Sequence, residues 1–211
     1  FTAEQFLLLL GLFNVGLATF TPGQSGRTAE LQNALARLGA SHLHEEPGVL
    51  PSEHLDVVAN AVRETLAHPE SPRLVTALAP VLVDNIDRIR LPSVGFRLAE
   101  LGLASRWGWL LDNTLDGVRR ELASSLSRAW TRRYRRAEVV LDLFLTSATG
   151  QPGGTDPTAL PLDLFDSNIR SQRTVDEIVA SSSAISRRWG VVTTLQPDDF
   201  AAALGAARVA D

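Results

Sequence analysis

The chain has no cysteine among its 211 residues. Structural disulfides, thiolate zinc sites and thiol catalysis are thereby excluded. Lysine and methionine are absent too, so all 20 basic residues are arginine, a usage that suits a GC-rich coding sequence. Positive charge is not in excess, because 24 acidic residues leave a net charge of −4. A surface coated with basic groups for nucleic acid is excluded, whereas a local basic patch is not. Long apolar runs are also missing. Residues 6–20 form an uncharged stretch of 15 residues that holds Asn14, and a spanning helix needs about 20. The residues ahead of it carry Glu4 and no basic group, which does not suit an export signal. The stretch predicts a buried helix over 3–20, capped by Thr2. No membrane association and a cytoplasmic location are expected.

What remains is a chain that is 45% hydrophobic and 21% charged, enough for a sizeable core and unlike a disordered protein. Its patterning predicts a mainly α, multi-helical fold with a few short strands. After a Pro/Gly turn at 21–26, residues 28–38 place Leu31, Leu35 and Leu38 on one side of a short helix that Gly39 ends. Residues 42–51 are polar and turn-rich. Ser52 is expected to cap a helix running to 67, and Pro80 to kink or divide a helix over 73–87. From Leu115 to Phe144 apolar residues recur every three or four positions, which predicts one long helix or two with a slight break. Residues 174–182 and 198–208 read as helices, and 189–195 as a strand. Three regions follow: a helical domain over 1–146, a Gly/Pro-rich linker or long loop over 147–161, and a small α/β segment over 162–211 packing on the first.

The main chemical signal is SRAWTRRYRR, residues 127–136. On a helix, Leu126, Trp130, Tyr134 and Ala137 share one face, and Arg128, Arg132 and Arg135 lie opposite, flanked by Arg136. Arg133 falls nearer the apolar edge and is expected to pair with a carboxylate. Clustered guanidiniums match phosphate oxygens. Other constellations are weaker. TPGQSGRT, residues 21–28, lacks the first glycine and the lysine of a phosphate loop and follows a helix instead of a strand. The four histidines, at 42, 44, 54 and 68, form no metal-ligand motif. No G-x-S-x-G is present. Neither a metal nor a cofactor is expected. Trp107 and Trp109 point about 200° apart on a helix, so both are core only if that helix is sandwiched. One of them is expected to anchor a domain or dimer interface.

Two segments carry a resemblance. Arg106-Trp107-Gly108-Trp109-Leu110-Leu111-Asp112 and Arg188-Trp189-Gly190-Val191-Val192 resemble the R-L-G-[FY]-L-L-[DE] and D-x-R-W-G-[VL]-x-V-N segments of the AbiEi-type antitoxin and regulator family of abortive-infection systems. Trp107 stands where the family carries Leu, and Thr193–Thr194 where it carries V-N. The resemblance implies a bacterial DNA-binding repressor with an N-terminal winged helix. Residues 27–38 would then be the recognition helix and 42–51 the wing. That helix offers only Arg27 and Arg37 against Glu30, a poor groove reader. The expected function is a non-enzymatic, DNA-associated regulator. Arg128, Arg132, Arg135 and Arg136 would contact phosphates, with Arg27 and Arg37 secondary. Double-stranded DNA, a cognate protein and a second copy of the chain are the expected partners. The alternative is a helical protein-interaction or self-association module that binds no nucleic acid.

Overall fold

The structure, a computed structural model, describes residues 24–69, 71–149, 162–166 and 171–211. The expected helix over 3–20 and most of the linker over 147–161 lie outside the described residues. The fold is mainly helical. In chain order the elements are α1 (Gln24–Arg37), a 3-10 turn (Glu53–Asp56), α2 (Val58–Ala67), α3 (Pro72–Thr76), α4 (Leu78–Asp84), α5 (Leu91–Glu100), α6 (Ala104–Leu122), α7 (Arg128–Thr149), β1 (Asp163–Leu164), α8 (Gln172–Ser181), α9 (Ala184–Trp189), β2 (Val191–Val192) and α10 (Pro197–Ala210). The two strands pair in parallel, Asp163 with Val191 and Leu164 with Val192.

Helix α6 is the axis of the packing. It touches α4, α5, α7, α9 and α10, and its buried residues, among them Trp107, Trp109, Leu110, Leu111, Leu115 and Val118, wind around all its sides. A helix covered on every side must satisfy its own polar groups. Asn113 Nδ2 donates to the Trp109 carbonyl at 2.8 Å and Thr114 Oγ1 to the Leu110 carbonyl at 2.8 Å, both back into the preceding turn. One hydrophobic cluster joins these residues to Tyr134 and Leu141 of α7, to Phe165 beyond β1, and to Phe200 and Leu204 of α10. The segments on either side of residues 150–161 thus share a core.

Several expectations are corrected by local chemistry. Helix α1 covers Gln24–Arg37, so residues 24–26 are helical and not part of a turn. Ser52 makes no side-chain cap; the chain forms one 3-10 turn, passes through Val57 in extended conformation, and only then starts α2. Pro80 divides its helix as expected. The break falls at Ala77, which places Pro80 in the first turn of α4, where no backbone donor is needed. The 115–144 pattern is two helices that fold back on each other. Arg119 Nη2 lies 2.6 Å from Asp142 Oδ1, whereas one straight helix would hold those residues about 35 Å apart. The expected strand over 189–195 is shorter. Ser183 accepts from the Ser186 amide to start α9, the helix continues through Trp189, and Gly190 ends it at φ 65° before β2.

No wing follows α1. Residues 42–51 hold turns and no strand. Buried Asn33 pins them to α1: its Nδ2 donates to the Glu46 carbonyl at 3.0 Å and the Val49 carbonyl at 2.7 Å, and its Oδ1 accepts from the Glu46 amide at 2.7 Å. With its amide groups met this way, the loop needs no strand partner.

Candidate functional site

The site follows from how α7 divides its faces. Tyr134, Ala137, Leu141 and Leu145 recur at three- and four-residue intervals and are buried. They turn Arg128, Arg132, Arg135 and Arg136 outward, where all four are exposed. Tyr134 anchors the buried side. Its hydroxyl donates to the Leu204 carbonyl at 3.3 Å, and burial, with the Glu121 carboxylate adding to it, pushes its pKa up to about 12. Ser127 Oγ accepts from the Trp130 amide at 3.4 Å at the start of the helix.

Arg135 and Arg136 have carboxylate partners at the surface. Arg135 meets Glu138 at 3.0 Å, and Arg136 meets Asp87 at 2.7 Å. Their side chains remain 65% and 60% exposed, so each pair is worth about 0–1 kcal/mol and gives way readily to a stronger anion. Arg128 and Arg132 meet no acceptor among the described residues. Arg133 behaves as its edge position predicts. It reaches Asp84 at 3.1 Å and Asp211 at 3.4 Å, and its guanidinium lies 4.6 Å from the centre of the Trp130 ring. The two secondary arginines are each held by a carboxylate. Arg27 pairs with Glu64, and Arg37 with Glu45 at 2.7 Å. The hydrogen bond between Arg37 and Glu45 raises the arginine pKa and lowers that of the glutamate.

Both tryptophans are buried inside the chain, and Trp109 packs the helical part against the C-terminal segment. Trp107 is 3% exposed and Trp109 0%, because α6 is sandwiched. Trp109 packs on Phe165 and edge-on to Phe200, with ring centres 5.1 and 5.3 Å away, and its Nε1 donates to Ser186 Oγ at 3.1 Å. Trp107 Nε1 is buried without a partner among the described residues and faces Gly95.

The two segments that carry the resemblance are packed against each other. Trp189 packs against Gly108, where an added Cβ would stand 2.1 Å from Cζ3. Asp112 Oδ2 accepts from Trp189 Nε1 at 3.0 Å and from Arg188 Nη1 at 2.8 Å. Arg106 holds β1 through two 2.7 Å bonds to the Asp163 carboxylate and donates to the Leu66 carbonyl at 2.6 Å. Each polar residue of the first segment is therefore committed to a structural contact. Comparison with family models, with curated proteins and with solved structures finds no match for this chain.

Among the described residues no cluster of three or more His, Asp or Glu is arranged to hold a metal. His54 faces Arg63, with 2.6 Å between Nε2 and Nη2, and His42 is kept below its usual pKa range by burial and by Arg73. Among the described residues no helix is long and apolar enough to cross a membrane.

Sequence reasoning missed what lies further along the outer face of α7. Val139 and Leu143 continue the stripe of Arg128 and Arg132 at four- and seven-residue intervals, and they are 59% and 70% exposed. The signal was present in the same helical projection used for the arginines, because 139 and 143 fall within about 60° of 128 and 132.

Proposed function

We infer that this chain is a non-enzymatic DNA-associated regulator that meets the phosphate backbone through the outer face of α7. The observation that carries this reading is the state of its arginines. In a chain with more acidic than basic residues, Arg128 and Arg132 lie one helical turn apart with no acceptor among the described residues, beside two more arginines held only by exposed pairs. Four planar cations on one face suit successive phosphate oxygens. Contacts of that kind position a protein on a duplex and read no sequence. Arg27 and Arg37 contribute less, because Glu64 and Glu45 offset them. The resemblance to AbiEi-type regulators points the same way, toward a repressor or antitoxin role in a bacterium.

The test is fluorescence anisotropy of a labelled random duplex at about 50 and 200 mM salt. Four phosphate contacts give a slope near −3.6 in log K against log salt, or about 10²-fold weaker binding across that range. An Arg128/Arg132/Arg135-to-Ala triple variant should lose the binding. No binding at low salt, or equal binding by the variant, removes this reading.

A second reading has its own observation. Exposed Val139 and Leu143 on the same stripe suit an apolar contact with a protein partner, such as a toxin or a second copy. A Leu143→Asp variant that loses self-association or partner capture while keeping DNA affinity would favour it.

A further inference from the structure

A cleft of about 270 Å³ lies between the start of α2 and one side of α5. Its floor is apolar, made by Val58, Ala59, Ile89 and Val94. Its rim is cationic. Arg90 precedes α5, Arg97 follows two turns on along the same face, and Arg88 stands just ahead of both. Among the described residues the only other polar side chain in the cleft is Ser93, which lies between Arg90 and Arg97 on that face.

The cations here are not neutralised. No carboxylate or other acceptor among the described residues meets Arg88, Arg90 or Arg97. Many arginines elsewhere do have carboxylate partners, among them Arg27, Arg37, Arg106, Arg119, Arg120 and Arg188. The carboxylate nearest in sequence, Asp87, pairs with Arg136 at 2.7 Å instead. Three like charges brought to one cleft raise each other's energy until an anion arrives. A fully hydrated inorganic anion would gain nothing from the apolar floor. A polyphosphate backbone has no apolar body to place there.

We propose that this cleft binds a small amphipathic organic acid, whose carboxylate meets Arg90 and Arg97 and whose apolar body covers Val58, Ile89 and Val94. The cleft is large enough for a short acyl chain. Arg88 closes the outer side of the carboxylate. The cleft arginines are not those of α7, and the one link to the DNA reading is Asp87, which pairs with Arg136.

The experiment is calorimetric titration of the full chain with octanoate, octylammonium and inorganic phosphate as probes. Octanoate should bind with a Kd of about 0.1–1 mM, and the other two at least about tenfold more weakly. An Arg90→Gln/Arg97→Gln variant should lose at least about tenfold in octanoate affinity. Both positions are exposed, so its thermal midpoint should match the parent. Ser93→Phe keeps every arginine and fills the cleft, and it too should abolish binding. Octylammonium binding as well as octanoate, phosphate binding as well as octanoate, or octanoate binding that survives both variants would overturn the proposal. So would the absence of saturable octanoate binding at about 10 mM.

Discussion

Replacing Gly108 by alanine tests the contact on which the centre of the fold turns. Helix propensity alone says the change should stabilise the protein. Gly108 lies inside α6, and alanine is better there by about 0.5–1 kcal/mol. Packing says the opposite. The new Cβ would stand 2.1, 2.2 and 2.4 Å from Cζ3, Cη2 and Cε3 of Trp189, where carbon atoms rest about 3.5–4.0 Å apart. The indole has to withdraw by about 1.4 Å to restore contact distance. It is a rigid plate held at the other end, because its Nε1 donates to Asp112 Oδ2 at 3.0 Å and its neighbour Arg188 donates to the same oxygen. Withdrawal breaks or strains a hydrogen bond to a charged acceptor, about 1.5–3 kcal/mol, and overpacking adds about 1–3 kcal/mol. After the propensity gain, Gly108→Ala should cost about 2–4 kcal/mol.

The same substitution in a Trp189→Ala background should reverse sign. With the indole gone, nothing opposes the methyl, and Gly108→Ala should stabilise by about 0.5–1 kcal/mol. The assay is urea unfolding followed by circular dichroism for the parent, both single variants and the double variant, with m checked for constancy. The coupling energy should be about 2.5–5 kcal/mol. A neutral or stabilising Gly108→Ala in the presence of Trp189 would show that the indole does not sit on this helix, and the packing of α6 against α9 described above would be wrong.

Asn33→Ala should cost about 2–3 kcal/mol in the same assay, because it strips three hydrogen bonds from the loop at 46–49. Faster proteolysis within 42–51 should accompany it. Tyr134 has a folded-state pKa near 12 against an ordinary 10, so the unfolded chain releases its proton first. Its contribution is whole below pH 10 and is lost as pH rises toward about 12. Tyr134→Phe should flatten the fall of stability in that window, and an unchanged slope would refute the burial of the phenol. His42 is displaced the other way, below its ordinary 6.5, by burial first and Arg73 second. The unfolded chain then takes up the proton more readily, so stability present above pH 6.5 should decline as pH falls through the folded-state value, and His42→Asn should remove that decline.

How much of this was legible beforehand depends on whether a residue's partner is near in sequence. The buried stripe of α7 was legible because helical spacing alone brings Tyr134, Ala137 and Leu141 to one face. Pro80 as a divider, Gly39 after α1 and the helix start near 198 follow from local backbone rules in the same way. The reversal between α6 and α7 was not legible. Nothing in residues 123–127 is a strong breaker, and the fold-back is stabilised by contacts such as Arg119 with Asp142, 23 positions away. The wing failed for a related reason, since one buried asparagine, 13 positions upstream of Glu46, met the backbone groups a strand partner would have met.

The charged groups show the same division more sharply. Sequence placed six arginines together as candidate contacts, yet charge on a helical wheel says nothing about which carboxylates will arrive from elsewhere. Arg136 meets Asp87 from 49 positions away, while Arg132, one turn earlier on the same face, meets nothing among the described residues. Conversely, the two segments that resembled a regulator family drew attention as motifs, and their residues turn out to answer one another. Gly108 is small because Trp189 is large, and Asp112 is acidic because Arg188 and Trp189 both donate to it. Such a pair leaves a motif-like trace in sequence without being a site, since each half is constrained by the other. Groups available to a ligand leave the opposite trace. Helical spacing grouped Arg128 and Arg132 from the start, but Arg88, Arg90 and Arg97 stand out only once the acids of the described residues have been assigned elsewhere.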